Sequence, residues 1–269
     1  MERILSLMTA RHGFDFGGYR RSSLERRVRT RADALGIPSF AAYADYLRAQ
    51  PAESQTLFDT LLIHVTSFFR DPEVWLALAR TVFLPLKSRL MNGAVARIWN
   101  PGCATGEETC TLLMVLDKAI GAELRSRVRV IATDVDAQAL AIAERGAYSA
   151  AHTVSLPAVL RDTYFRYFGS EYVFRGDLLE AVTFHTHDLL HGAPVPEVDL
   201  VVCRNTLMYF DAPSRRQVLK RMHGALKENG CLLVGRSELL LAHTDLFRPV
   251  DHGARIFERC RVSSDDNAG

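Results

Sequence analysis

The sequence predicts an α/β protein, a doubly wound parallel sheet preceded by an all-helical N-terminal domain. Three observations predict it. From residue 95 onward, continuous apolar runs alternate with helical patterns, the mark of strands covered on both faces. Before residue 70, apolar positions recur at helical spacing. The first predicted strand also ends in a glycine turn that opens a helix, 98-IWNPGCATGEETCTLLM-114.

Taken in order, Leu24, Val28, Ala32 and Leu35 share one face of a helix in 24-LERRVRTRADAL-35. Gly36-Ile37-Pro38 breaks the chain, and Ser39 is placed to cap the next helix, FAAYADYLRAQ. A further helix, ESQTLFDTLLIH, leads into 64-HVTSFFRDPEVWLALA-79. There Asp71-Pro72 reads as an N-cap followed by proline at the first helical position, which puts Arg70 at the end of a connecting segment. Predicted strands are VARIWN (95–100), VRVIATD (128–134), DLVVCRN (199–205) and CLLVG (231–235), with helices at 107–119, 136–145 and 212–227. The region 148–187 interrupts this rhythm. A helix near 156–168 and the strand-like pieces SEYVF and AVTFHTHD predict a small antiparallel insert there, with the aromatics of YFRYF and Phe68-Phe69 packed inside. The expected domains are 1–70, helical, and 71–269, carrying the sheet and the insert. The final SSDDNAG is expected to fray.

Composition narrows the class. With 269 residues, 48% of them hydrophobic, the chain can bury a full core. A net charge of +2 is too mild to announce nucleic acid as a partner. No apolar run approaches the roughly 18 residues of a membrane helix, so no membrane insertion is expected. The opening MERILSLMTARHG lacks a cleavage site and a clean apolar core, so it is not read as a secretory signal. Five scattered cysteines without a CxxC pair read as reduced thiols of a cytoplasmic protein. Phosphate-loop, zinc and serine-hydrolase motifs are absent from the sequence. His185 and His187 share a strand face but lack a third ligand, so no metal is expected. Nothing in the sequence demands more than a monomer.

Ligands of an open α/β sheet bind beyond the carboxyl ends of its strands. A glycine turn opening a helix ordinarily cradles phosphate, yet here Glu107 and Glu108 occupy the first helical positions. The second strand ends in Asp134, where an acid can hold both ribose hydroxyls. Asp188-Leu189 precedes the strand DLVVCRN, which delivers Arg204 and Asn205, with Tyr209 one turn on. A rim rich in carboxylates and poor in phosphate binders suits a phosphate-free, cationic nucleoside, and S-adenosylmethionine is one. Each residue also has a plainer reading. Glu107 and Glu108 are favourable first-turn acids, and Asp134 is placed to cap the following helix. A dinucleotide is disfavoured because GCATGEE lacks the GxGxxG spacing.

The segments 20-RRSSLERRVRTRADALGI-37, 64-HVTSFFRDP-72, 102-GCATGEE-108, 132-ATDVD-136 and 203-CRNTLMYFD-211 resemble the CheR-type chemotaxis receptor methyltransferases. The resemblance runs from about residue 5 to residue 258 and implies a Rossmann-like class I S-adenosylmethionine-dependent methyltransferase domain with a β-subdomain insert, behind a helical N-terminal domain. The activity it implies is methylation of glutamate side chains on the cytoplasmic helices of chemoreceptors, with S-adenosylhomocysteine as coproduct. It places Thr66 and Arg70 over the cofactor and reaction centre. Glu107 or Glu108 becomes the acidic turn residue, Asp134 the ribose ligand, and Asp188-Leu189 the pair near the adenine. Arg204-Asn205 then flank the methionine portion, and Tyr209 lies beside the methyl group. His64 stands where some members carry a cofactor-contacting asparagine. Thr109-Cys110 and 236-RSEL-239 also depart from the family pattern.

A glutamate carboxylate is ionised at neutral pH and attacks without a general base. Arg70 is then expected to orient carboxylates. Arg20, Arg27 and Arg31 are expected on one helical face opposite Leu24 and Val28, as a basic surface for acidic receptor helices. Two other functions fit less of the sequence. One is a nucleic-acid N-methyltransferase, loosely suggested by 205-NTLMY-209; the other is a cofactor-binding regulator without turnover.

Overall fold

The computed structural model of the chain describes residues 1–62, 65–193, 195–238, 240 and 245–261. The chain divides into two compact units, residues 1–63 with 208–216 and residues 64–207 with 217–269.

The first unit is built on four helices, α1 (Glu2–His12), α2 (Arg21–Ala34), α3 (Phe40–Ala49) and α4 (Pro51–Leu61). Each buries one stripe: Ile4 and Met8 from α1, Leu24, Val28 and Ala32 from α2, Tyr43 and Leu47 from α3, Leu57 and Leu61 from α4. Ser39 caps α3 as its position predicts, its Oγ accepting the Ala42 N–H at 3.1 Å.

The arginines of α2 differ from expectation. At 100° per residue, Arg27 and Arg31 flank Leu24 and Val28 rather than oppose them. Arg31 makes a bidentate pair with Glu53, both contacts 2.7 Å, and Tyr43 donates its hydroxyl to the same carboxylate at 2.6 Å. Arg27 donates to the carbonyls of Thr60 at 3.0 Å and Leu61 at 3.3 Å, completing the end of α4. Arg20 donates from Nε to the Phe210 carbonyl at 3.2 Å. These three guanidiniums therefore help to tie the helical unit together; Arg20, Arg26 and Arg29 are exposed, and Arg29 also donates to the Pro38 carbonyl at 3.1 Å.

The second unit begins with α5 (Pro72–Leu78), which runs through a π-helical turn at Ala79–Phe83 into α6 (Leu84–Met91). Pro85, in the first turn of α6, has no N–H to donate back, which favours the wider turn before it. There follow β1 (Ala96–Pro101), α7 (Glu107–Ile120), β2 (Val128–Asp134) and α8 (Ala137–Arg145). The insert comprises β3 (Ala147–Ser149), α9 (Ala150–Thr153), α10 (Ala158–Tyr164), β4 (Phe165–Phe168), β5 (Glu171–Phe174) and α11 (Gly176–Leu179). Then come β6 (Val182–Thr186), β7 (Val198–Cys203), α12 (Ala212–Ala225), β8 (Leu226–Val234), β9 (Phe247–Asp251) and β10 (Ile256–Arg259).

The main sheet has the order β6-β2-β1-β7-β8-β10-β9. Strands β6, β2, β1, β7 and β8 are parallel, and β10 runs antiparallel to both of its neighbours. β7 is buried at every position, which fits its unbroken apolar run.

Several expectations change. AVTFHTHD does not belong to the insert: its strand β6 joins the main sheet, Val130 opposite Val182 through Asp134 opposite Thr186. As a half-exposed edge strand, β6 alternates and so reads like an antiparallel piece. The insert sheet itself is β3-β5-β4, antiparallel, and the helix expected to reach residue 168 stops at Tyr164. Tyr164 and Phe165 are core, but Tyr167 and Phe168 are 59% and 63% exposed. Strands β9 and β10 went unpredicted because FRPVD and IFER are short, charged and half-exposed. Similarly, α12 ends at Ala225, two residues early, because β8 begins at Leu226.

Arg31 holds the Glu53 carboxyl below its ordinary value of 4.5, helped by Tyr43 against the effect of burial. A carboxyl with a depressed folded pKa stabilises fully above its unfolded value, and that contribution is lost as pH falls through the folded value. Arg31→Ala is expected to destabilise the chain by about 3 kcal/mol in urea unfolding at pH 7. The loss should shrink as pH falls through the depressed folded value of Glu53, and Arg26→Ala should change little.

Candidate active site

The parallel sheet reverses its winding between β1 and β7, the switch point where such sheets bind ligands. At the exit of β1 the chain makes a tight loop. Gly102 and Cys103 donate N–H to the carbonyl of Thr133, at 2.7 and 3.1 Å, folding the loop over the end of β2. Gly102, Ala104 and Gly106 all have positive φ, 70°, 48° and 93°. A Cβ on Gly102 would lie 2.4 Å from Thr206 Oγ1, and one on Gly106 2.7 Å from Ala143 Cβ. Both sites admit only glycine, so the turn can approach its neighbours closely.

Asp134 organises this loop. Its Oδ2 accepts the Ala104 N–H at 2.8 Å, and its Oδ1 accepts the Asp136 N–H at 3.0 Å. Asp134 is not the helix cap: Asp136 caps α8, accepting from Gln138 and Ala139 at 2.7 and 3.3 Å.

The first turn of α7 carries two carboxylates with different partners. Glu107 is 2% exposed and accepts the Thr105 hydroxyl at 2.7 Å. Glu108 accepts from Asn100 Nδ2 at 3.0 Å and from Arg204 Nη1 at 3.2 Å. Asn100, buried in β1, also donates to the Val202 carbonyl at 2.9 Å and accepts the Thr109 hydroxyl at 2.7 Å. It thereby joins β1, β7 and α7.

Arg204 is 4% exposed. Its Nη2 donates to Asp71 Oδ2 at 2.7 Å and to the Arg70 carbonyl at 3.0 Å, and the guanidinium lies 5.2 Å from the Trp75 ring centroid. Trp75 Nε1 donates to the same Arg70 carbonyl at 3.0 Å. The expected cap of α5 is thus replaced: Asp71 makes no side-chain cap bond, because its carboxylate serves Arg204. Backbone strain gathers around this guanidinium, with Phe69, Asp71 and Asn205 at φ 49°, 54° and 60°.

The C-terminal unit therefore brings Glu107, Glu108, Asp134, Arg204 and Asn205 to the strand exits. The Arg70 backbone is anchored there too, while its side chain turns back, Nη1 donating to the Val65 carbonyl at 3.3 Å. Thr66 lies half-buried on the same segment. Asp188 follows β6 just after His187, whose N–H binds the Asp134 carbonyl at 2.8 Å. The Asp188 carboxylate accepts the Leu190 N–H at 2.7 Å and lies 2.8 Å from His191 Nδ1, while Leu189 is buried. Tyr209 groups with the helical unit, where its carbonyl accepts the Arg20 N–H at 2.8 Å and its ring lies 5.9 Å from the Arg27 guanidinium. His64 lies outside the described residues.

Sequence reasoning missed Asn100, the Arg204 partnership of Asp71, and Glu238, which accepts the Asn205 N–H at 2.8 Å. Asn100 carried a signal, an amide inside an apolar strand that burial obliges to find partners. Glu238 carried none, because its bond spans 33 residues.

Residues 64–256 match the family described as CheR methyltransferase, SAM binding domain, and residues 1–62 match CheR methyltransferase, all-alpha domain. The chain belongs to the CheR methyltransferase family. This CheR chain is similar to an uncharacterized 104.1 kDa protein of Rhodobacter capsulatus, 33% identical over 96% of this chain and 27% of that protein. It is 30% identical to chemotaxis protein methyltransferase 2 of Pseudomonas aeruginosa, over 85% of this chain and 81% of the relative. It is equally, at 30%, identical to the probable biofilm formation methyltransferase WspC of the same organism, over 93% of this chain and 59% of the relative. The chain thus spans about a quarter of the first relative's length and most of the second's. As a CheR methyltransferase it uses S-adenosylmethionine, and the strand exits described above are where such a sheet receives a ligand.

In this CheR site, burial pushes the Glu108 carboxyl up to about 6; Arg204 and Asn100 pull it down, and Glu238 adds to the rise. The carboxyl is therefore ionised at pH 7 and gains a proton as pH falls through about 6. A cationic ligand should favour the ionised form. The Kd for S-adenosylmethionine, measured by calorimetry, is expected to rise as pH falls below about 6. Glu108→Gln should weaken binding at pH 7 and remove that step.

Proposed function

We propose that this chain transfers the methyl group of S-adenosylmethionine to glutamate side-chain carboxylates on the cytoplasmic helices of a chemoreceptor. The products are glutamyl γ-methyl esters and S-adenosylhomocysteine. The observation that carries the reading is the acidic character of the strand exits, where Glu107 and Glu108 open the helix after the glycine turn and Asp134 ends β2 with its carboxylate on that turn. The N-terminus of α7, which would otherwise attract phosphate, already holds two internal carboxylates.

The residues present fit the cofactor. The glycine turn leaves room for close approach, and Asp134, whose carboxylate accepts two loop N–H groups at the end of β2, is assigned to the ribose diol. Glu107 and Glu108 face a cation with negative charge. Arg204 Nε, buried without a protein partner among the described residues, leaves a donor for a carboxylate. Asp188-Leu189 is assigned to the adenine and Thr66 to the closing segment. For Tyr209, the place beside the methyl group rests on the resemblance of the CRNxxxYF segment.

The cofactor supplies an electrophilic methyl on a sulfonium. The receptor carboxylate oxygen bonds to the methyl carbon as the carbon–sulfur bond breaks, and the electron pair stays on sulfur. No proton moves, so no general base is required. An anion and a cation become neutral products, and exclusion of water accelerates such a step. The protein contributes orientation and a dry site; Arg70 aligns a carboxylate by bidentate hydrogen bonding. Among the described residues no helix is long and apolar enough to cross a membrane. A cytoplasmic location accords with receptor cytoplasmic helices as the substrate. The equal likeness to a chemotaxis and a biofilm methyltransferase leaves the receptor's pathway to experiment.

Arg70→Ala is expected to reduce turnover at least about tenfold, with the far-UV spectrum unchanged. Near-normal turnover would remove Arg70 from the mechanism. Incubation with methyl-labelled cofactor and receptor cytoplasmic fragments, followed by alkali, should release labelled methanol. Alkali-stable label would mark an N-methyltransferase, and no transfer would mark a regulator.

A further inference from the structure

We propose that Glu238 is a positioning residue for the cofactor site, pinning the exits of β7 and β8 with one carboxylate oxygen and so fixing the backbone that presents Asn205. The proposal rests on the reading of the strand exits as the S-adenosylmethionine site.

The last register pair of these two parallel strands is Cys203 opposite Val234. Immediately beyond it both chains turn, and both lose their sheet partners. Asn205 N–H and Gly235 N–H then converge on the same atom, Glu238 Oε2, at 2.8 and 2.7 Å. The Glu238 N–H returns to the Gly235 carbonyl at 2.9 Å, closing the turn that brings the carboxylate back under the strand ends. Glu238 is 6% exposed, so both bonds form away from bulk water and are charge-assisted.

The arrangement holds Asn205 in a sparsely populated backbone region, one that asparagine tolerates better than most residues. Asn205 sits at φ 60°, in the left-handed region, one residue after the buried Arg204. Gly235 is required on steric grounds: a Cβ there would meet Glu238 Oε2 at 2.8 Å and both Asn205 N and Nδ2 at 2.9 Å. A pair of convergent backbone N–H groups is otherwise an anion-binding concavity. Filling it with an internal carboxylate bars a ligand phosphate from this point and fixes the direction of the Asn205 side chain. Without the carboxylate, two buried donors lose their partner and Asn205 is free to leave the left-handed region.

The experiment uses the full chain and S-adenosylhomocysteine as the calorimetric probe, with the ligand-free unfolding midpoint measured in parallel. Glu238→Ala is expected to raise the Kd about tenfold or more, while Glu238→Gln, whose amide oxygen still accepts both N–H groups, stays within about threefold of wild type. Glu238→Asp keeps the charge but is one methylene too short, so it should bind like the alanine variant; it decides the question if Glu238→Ala fails to fold. Wild-type affinity in Glu238→Ala or Glu238→Asp overturns the proposal. So does a glutamine variant as weak as alanine, which would make charge rather than position the cause. A wild-type chain that does not bind the probe sinks the cofactor reading and this proposal together. Normal binding by wild type and by every variant sinks only the role of Glu238.

Discussion

The buried guanidinium of Arg204 is the constraint on which the rest of the C-terminal unit depends. An unpaired cation in a protein interior is prohibitively unfavourable, so acids and carbonyls must be brought to it. Asp71 and the Arg70 carbonyl come from the segment ahead of α5, and Glu108 comes from the first turn of α7. The three segments are remote in sequence and meet because one strand delivers a charge that each helps to neutralise. The positive φ values at Phe69, Asp71 and Asn205 lie in the segments that meet there. Each is a local strain held in place by surrounding bonds, and each adjoins a residue assigned to the site.

The same requirement shapes the electrostatics. Arg204 pairs with Asp71 and Glu108, while Glu107, Asp134 and Glu238 draw hydrogen bonds from hydroxyl and backbone donors instead. The site thus keeps negative charge while its acids remain hydrogen-bonded. A helix N-terminus and a pair of strand exits, both natural anion sites, are filled from within. That internal filling accords with the cationic, phosphate-free ligand proposed for the turn.

In the N-terminal unit arginine takes a different part. Arg31 and Arg27 spend their donors on Glu53 and on the final carbonyls of α4, so the basic character of α2 is partly structural. Arg26 and Arg29 are exposed, and Arg29 donates to the Pro38 carbonyl at 3.1 Å. A helix rich in arginine is therefore not one surface: the flank beside the apolar stripe holds the bundle, and the outer flank meets solvent.

The sequence alone determined whatever depends on short-range pattern. Strand β2 shows at its observed boundaries because a fully covered parallel strand must be apolar throughout. The glycine turn, the acids of α7 and the Ser39 cap are visible because local backbone geometry demands those residue types. The family was legible in motifs such as 64-HVTSFFRDP-72 and 203-CRNTLMYFD-211. Only the tertiary structure decided which partner each charge takes. It sent Asp71 to Arg204 instead of its own helix, made Asp136 rather than Asp134 the cap, and returned Glu238 to Asn205. It also moved β6 from the insert into the main sheet. The Asp136 cap is local, but Asp134 is drawn away from that role by the Ala104 N–H, thirty residues distant. The other three cases share its reason: hydrogen bonds and strand pairing over long separations leave no periodic trace, since any donor of the right kind satisfies an acceptor and only the folded chain brings them within reach.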